Sequence, residues 1–198
     1  MCQNHNIIME VENYSKTFKN LNIKDDEFDN KNFEECQFVN CSFDGASMKG
    51  TSFTNCEFDN CQLSMVKLDQ DTKFQDVDFK ESKINGVLFS KCVNVFTSFS
   101  FSDCHIRYCD FSEMKLDSHK FIKCMIESCD FVNTELKKAS FSRSVFHDTT
   151  IQGCNLIEAN FSKASGYVIN PAENKMFNSK FTLAESAGLL KPFGIKLE

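Results

Sequence analysis

Between Phe18 and Phe161 a large apolar residue recurs every fifth position, broken only by two small slips in phase. The 29 positions of this lattice are all Phe, Leu, Ile or Met. The first run is Phe18, Ile23, Phe28, Phe33, Phe38, Phe43, Met48, Phe53, Phe58, Leu63 and Leu68. A one-residue shift gives Phe74, Phe79, Ile84 and Phe89. Two further residues shift it to Phe96, after which it runs unbroken through Phe101, Phe111, Phe121, Phe131, Phe141 and Phe146 to Phe161. Eighteen of the 22 Phe fall on the lattice, which rules out chance. A period of five matches neither the 3.6 of a helix nor the 2 of a strand, so each pentad is its own structural step, the signature of a solenoid.

A second lattice lies two residues earlier and holds small side chains, including Cys36, Cys41, Ala46, Thr51, Cys56 and Cys61, then Cys104, Cys109, Cys124, Cys129, Thr134 and Cys154. Residues two apart on an extended segment face the same way, so both lattices point inward. Cysteine gives the length of a lap independently: Cys36 and Cys56, Cys41 and Cys61, Cys104 and Cys124, and Cys109 and Cys129 are each 20 residues apart. Four pentads per lap, with like stacked on like, predict a solenoid of square section.

Three regions follow. Residues 1–17 are irregular, and Ile7, Ile8 and Met9 are expected to cover the first open coil. Residues 18–165 form about seven coils, a stack of roughly 34 Å at ~4.8 Å per coil. Residues 166–198 leave the repeat: Gly166 releases the chain, Asn170-Pro171 turns it, and Thr182 with Glu185 has the form of a capping box. A short helix over 183–191 is expected to close the last coil, ended by Pro192 and Gly194, and the tail from Phe193 to Leu197 alternates like a half-buried strand. The lattice side chains, each worth about 1.5–3 kcal/mol when buried, suffice to order one rigid domain.

The repeat units Cys109-Asp110-Phe111-Ser112, Cys129-Asp130-Phe131-Val132, Ala159-Asn160-Phe161-Ser162 and Cys154-Asn155-Leu156 resemble those of the pentapeptide-repeat family. The resemblance covers 18 to about 165 and implies an all-β solenoid, a right-handed quadrilateral β-helix, here with a short C-terminal helix cap. The segments Tyr167-Val168-Ile169-Asn170-Pro171, Asn174-Lys175, Phe181, Leu189-Leu190 and Phe193-Gly194-Ile195 are similar to the C-terminal module of the quinolone-resistance and microcin-immunity group. That likeness implies a homodimer joined end to end, through Leu189, Leu190, Phe193, Ile195 and Leu197. A monomer merely capped by the helix is the alternative.

No catalytic constellation is legible, and no cofactor motif. There is no glycine-rich phosphate loop among seven glycines and no nucleophile elbow. The Cys36, Cys41, Cys56 and Cys61 group comes nearest to a metal site, but its spacing is that of the lattice itself, which reads as core packing of free thiols in a reducing compartment. Of the four histidines, His119 alone falls on an inward site, where a hydrogen-bonded structural role is expected. The first 16 residues lack a basic start followed by an apolar core, and no stretch approaches ~20 apolar residues, which points to a soluble, cytoplasmic protein without a membrane segment.

Charge adds the remaining lead. The formal net charge is −6, and the acidity is concentrated in residues 21–90, at net −7, against +1 for residues 91–198. Assigning pentads to sides places Glu57, Asp59, Asp78, Glu81 and Asp103 along one face, interrupted by Lys80. A second face carries Glu27, Asp29, Asp69, Asp71, Asp110, Glu113 and Asp130. Carboxylate rows on a rigid rod of about one turn of B-DNA (~34–36 Å) can imitate phosphate lines, attracting a basic DNA-binding groove while repelling nucleic acid itself. With the resemblance, this implies a non-enzymatic DNA mimic that binds DNA gyrase or topoisomerase IV and protects it from quinolones or peptide toxins. The competing expectation is an adaptor whose flat faces hold another protein. Outward Asp, Asn, Glu and Lys are ordinary on such a stack.

Overall fold

The computed structural model describes residues 10–92 and 97–195. They form a parallel-strand β-solenoid of about eight turns. Side I stacks the strands Glu12–Tyr14, Asn32–Glu34, Ser52–Thr54 and Lys73–Gln75. Side II runs through Thr17–Lys19, Gln37–Val39, Glu57–Asp59, Val77–Lys80, Phe99–Ser102 and Lys120–Ile122, and ends in the pair Asn160–Phe161 and Lys180–Phe181. Side III holds Gln62–Ser64, Lys83–Asn85, His105–Arg107, Met125–Glu127 and Val145–His147. Side IV holds Asp130–Val132 and Thr150–Gln152, extended by single bridges such as Asp110 to Asp130.

The register is that of the lattice. Phe18 pairs with Phe38, Phe38 with Phe58, Phe58 with Phe79, Phe79 with Phe101, and Phe101 with Phe121. Side II thereby builds one column of phenylalanine rings from Phe18 to Phe181. Successive rings are nearly parallel, as for Phe38 and Phe58 (4.7 Å between centroids, 17°) and Phe161 and Phe181 (5.1 Å, 8°). Rings from adjacent sides meet edge to face, Phe111 against Phe121 at 89°. Both arrangements suit the aromatic quadrupole, and together they bury the rings along the shaft. Every described lattice residue is buried except Leu68, which is partly buried against the same core.

The corners were not foreseen. Except at the two slips, after Leu68 and Phe89, the residue two after each described large one adopts a left-handed conformation: Asn20, Asn30, Asn40, Gly45, Gly50, Asn55, Asn60 and onward to Asn178. Asn and Gly reach this region most cheaply, yet Met65, Tyr108 and Arg143 occupy it too. Their amides are rewarded axially: Asn20 N donates to Val39 O (2.9 Å) and Arg143 N to Ser162 O (3.1 Å).

The small slots do more than save space. Their hydroxyls and thiols donate to the carbonyl of the large residue in the preceding coil: Cys56 to Phe33 O (3.3 Å), Thr134 to Phe111 O (3.0 Å), Ser144 to Phe121 O (2.7 Å). Cysteine here acts as a weak donor as well as a compact apolar group, since a strand carbonyl already bonded to one amide keeps a free lone pair.

Several expectations change at the ends and slips. The lattice begins one step earlier, at Asn13, which pairs with Phe33 in register and is buried, its amide donating to Glu10 O (2.8 Å). Parallel pairing continues past 165, through Asn155 with Lys175 and Phe161 with Phe181, so about eight turns replace the expected seven and the stack is ~38 Å tall. Gly166 does stand at a tight point, since a Cβ there would meet Phe146 O at 2.2 Å. The capping box does not form. Thr182 Oγ1 instead accepts from Lys163 N (2.6 Å), continuing the ladder, and the helix is limited to Ala187–Leu190 between 3-10 turns Leu183–Glu185 and Lys191–Phe193. The tail is no strand as far as Ile195, because Gly194 is left-handed (φ 67°). At the second slip, Phe99 enters a small slot opposite Val77, and Phe96 lies outside the described residues, as do Ile7, Ile8, Met9 and Leu197.

Phe111 stacks on Phe89 (5.0 Å) and Phe131 (4.9 Å), so Phe111→Ala is expected to cost about 3–5 kcal/mol. Thr134→Val, which keeps the shape and loses only the bond to Phe111 O, is expected to cost about 1 kcal/mol. Urea unfolding midpoints check both, and a Thr134→Val variant as stable as wild type would show that packing rather than hydrogen bonding governs the small slots.

Candidate interaction faces

The five carboxylates singled out on one face are gathered on side II. Glu57 lies beside Asp78 and Asp59 beside Lys80 in paired strands, while Glu81 and Asp103 occupy successive left-handed corners. They are not all free. Lys80 reaches Glu57, and Lys123 Nζ lies 3.4 Å from Asp103 Oδ1. Asp78 accepts from Ser100 Oγ in the next coil. The Glu57 carboxylate holds the Lys80 ammonium above its ordinary pKa. Glu81 is exposed and has no ion-pair partner among the described residues.

The second acidic face, side IV, is spent largely on its own backbone. Asp69 Oδ1 accepts from Gly50 N (3.0 Å), Asp71 N (3.1 Å) and Thr72 Oγ1 (2.9 Å), and Asp29 Oδ1 from Lys49 N (2.9 Å). Asp110 accepts from Ser112 N (2.9 Å) and from Ser90 Oγ. Partial burial raises the carboxyls of Asp69 and Asp110, but these donors outweigh it and hold both below the usual value. They are clasps of the first slip and the fifth turn.

Sequence reasoning missed the lower half of side II. Below Asp103 it carries Lys120, Lys123, Arg143, Lys163 and Lys180, all exposed, on strands and corners that otherwise present Ser, Asn, Thr and the half-buried Ile122. The signal was the balanced charge of residues 91–198, which needed sorting by side just as the acids were sorted. Side III also carries more than its pattern suggested: Met65, Tyr108, Met125 and Val145 are exposed, and Glu127 lies between Arg107 (3.0 Å) and His105 (3.5 Å).

The inward thiols line the shaft. Cys36 and Cys56 lie on side II, Cys41 and Cys61 on side III, each directed at a main-chain carbonyl. Among the described residues no three metal-ligating side chains converge, and their ten cysteines are free and buried. Burial pushes the Cys56 thiol up to about 11 and that of Cys92 up to about 12, the opposite of an activated nucleophile.

The architecture matches what the comparisons show. A family model of pentapeptide repeats matches residues 32–70 and 126–165, in eight copies. The chain is a pentapeptide-repeat solenoid. No curated protein sequence matches it. Its fold is similar to trypsin-treated QnrB1, a plasmid-mediated fluoroquinolone resistance protein, in two variant structures. One has a TM-score of 0.62 at 16% identity, covering 94% of this chain and 100% of that one. The other has a TM-score of 0.64 at 14% identity, covering 94% and 99%. At such identity the likeness is one of fold. No helix among the described residues is long and apolar enough to cross a membrane.

The C-terminal end offers an apolar surface. Val168, Phe177, Leu183, Phe193 and Ile195 are exposed there, whereas Leu189 packs partly against the core and Leu190 is half-buried.

His119 sits in a small slot against the edge of Phe99 (5.1 Å, 82°). Its Nδ1 lies 3.1 Å from Asp117 O, which places the proton there, and Nε2 is buried without a partner among the described residues. Burial is the main cause that lowers its pKa below 6.5, against weaker raising contributions from backbone carbonyls and Asp117. The unfolded chain therefore binds a proton at a higher pH than the fold does. Stability contributed by neutral His119 is complete above pH ~6.5 and is lost as pH falls below it, until the folded pKa is reached. Ala139 and Ala159 fill the same slot in the next coils, so His119→Ala is expected to fold. Urea midpoints of wild type should fall more steeply than those of this variant from pH 7 to 5; parallel curves would place the imidazole in water.

Proposed function

We propose that this solenoid is a non-enzymatic binding rod whose side II carboxylates occupy a basic, DNA-binding groove of a type II topoisomerase such as DNA gyrase, affording protection from quinolones or peptide toxins. The observation that carries this reading is the group Glu57, Asp59, Asp78, Glu81 and Asp103, stepped at the ~4.8 Å coil spacing on a stiff, phenylalanine-filled stack. Its fold similarity to a fluoroquinolone resistance protein supports the same choice. The rod acts as a dimer, joined through the apolar C-terminal end that includes Leu189, Leu190, Phe193 and Ile195. It works in the cytoplasm, where its partner is found. Side IV is secondary in this reading, because Asp29, Asp69 and Asp110 already accept hydrogen bonds from its own turns.

A second reading is favoured by side III, whose exposed Met65, Tyr108, Met125 and Val145 suit a protein partner without any role for topoisomerase. A gel supercoiling assay separates the two. Wild-type protein should inhibit gyrase at low-micromolar concentration, and Asp78→Lys with Glu81→Lys should weaken inhibition about tenfold or more. Inhibition should fade as salt is raised, since groove occupation by carboxylates is screened. Absence of inhibition at any concentration assigns the rod to the adaptor class.

A further inference from the structure

Side II is a dipole. Its corner column reads, coil by coil, Asn60, Glu81, Asp103, Lys123, Arg143 and Lys163, all left-handed and stacked by axial hydrogen bonds from Glu81 N to Ser102 O, Asp103 N to Ile122 O, Lys123 N to Ser142 O and Arg143 N to Ser162 O. The change of sign falls between Asp103 and Lys123, near mid-height. All but the pair at the boundary lack ion-pair partners among the described residues: Glu81 above, Arg143 and Lys163 below. The strands beside the column carry mostly short polar side chains, Ser100, Ser102, Ser140, Ser142 and Ser162, with Ile122 half-buried in the same column as Ser102.

Such a face complements itself. From this geometry we infer that two copies of the chain associate through side II, antiparallel, about a twofold axis lying in the face between the coils of Asp103 and Lys123. The axis keeps each column over itself and reverses coil order. Asp103 then faces the partner's Lys123, and Glu81 faces the partner's Arg143, each contact occurring twice. In the strand column before each ring, Ser100 faces the partner's Lys120, Asp78 the partner's Ser140 and Glu57 the partner's Asn160. In the column after it, Asp59 faces the partner's Ser162 and Lys80 the partner's Ser142. No like charges meet. Parallel rods would set acid on acid. This pairing uses a different surface from the apolar C-terminal end and does not depend on the function proposed above; it would withhold the acidic face from any basic groove while it lasts.

The patch is about 29 Å by 10 Å over six coils, well under the ~800 Å² per partner of a standard interface, so the association is weak and strongly salt-dependent. Sedimentation velocity on wild-type protein at several hundred micromolar should show association at about 20 mM salt that is gone by about 300 mM. Arg143→Glu and Glu81→Arg each set like charges opposite one another, and each alone should associate about tenfold more weakly. Both are exposed corners, and Glu113, Glu158 and Lys138 already hold this backbone conformation, so folding is unaffected. Mixed together, the two variants regain both opposite-charge contacts, and the mixture should associate as tightly as wild type. The C-terminal end is identical in all three proteins, so a dimer formed there cannot mimic this pattern. A mixture no more associated than its components, or wild type that stays unassociated at low salt, overturns the inference. So does capture of a short DNA duplex by wild type without self-association, which would assign the basic half to phosphate.

Discussion

Everything in this molecule depends on one condition of closure: after four sides the chain must return to the residue it left, one coil lower. Backbone hydrogen bonds along the axis fix the distance between coils, and the ring columns fill what that distance leaves. Once Phe38 stands between Phe18 and Phe58, at 5.1 and 4.7 Å, any change in lap length must be absorbed at a corner and not in the column. Both slips obey this. The first is tied by Asp69 to Gly50, Asp71 and Thr72, and the second is followed by restored register at Phe79 with Phe101 and Ile84 with Ile106.

Closure also explains two features that seem wasteful. A left-handed residue at each regular corner costs about 1–2 kcal/mol where it is not Gly, Asn or Asp, yet it aims an amide down the axis at the next coil. The small slots have the same logic. A carbonyl on the strand accepts one axial amide and keeps a second lone pair facing the shaft, where water cannot reach it. Thr134, Ser144 and Cys56 answer that lone pair, which is why the slots hold Cys, Ser and Thr far more often than Ala.

The core was readable because burial in a solenoid repeats with the chain: Phe at five-residue steps and Cys at twenty-residue steps state the same lap twice. The signal faded where one side chain took an unusual role in a regular place. Asn13 fills an aromatic position at the open end, where its amide can bond Glu10 O, and polarity there hides the first pentad. Thr182 and Glu185 look like a helix start, but Lys163 N in the coil above claims Thr182 first. Phe99 stands two residues before Phe101, where the second lattice calls for a small side chain, and its ring fills that slot beside Val77. Of the acidic face, position was legible and availability was not. Only contacts reveal that Glu57 and Asp103 are already paired while Glu81 has no ion-pair partner among the described residues.

A fixed rise turns surface charge into a problem with few solutions. Two like charges one coil apart repel by about 1 kcal/mol even in water, and a column can stack several of them. Side I relieves this internally: Asn32 Nδ2 donates to Glu12 Oε1 (2.7 Å), Ser52 Oγ to Asn32 Oδ1 (2.6 Å), and Lys138 lies 3.7 Å from Glu158. Side IV relieves it by turning carboxylates onto backbone amides. Side II does neither for Lys123, Arg143 and Lys163, three cations in consecutive corners with a single carboxylate, Asp103, at their upper end. Nothing in the packing requires positive charge there, since Asn, Ser and Gly hold the same backbone elsewhere in the stack. A run of like charge that costs the isolated rod stability, and that the fold could have omitted at no expense to its core, is best explained by a negative surface outside the chain. The acidic half of the same side, on another copy, has the spacing to be that surface.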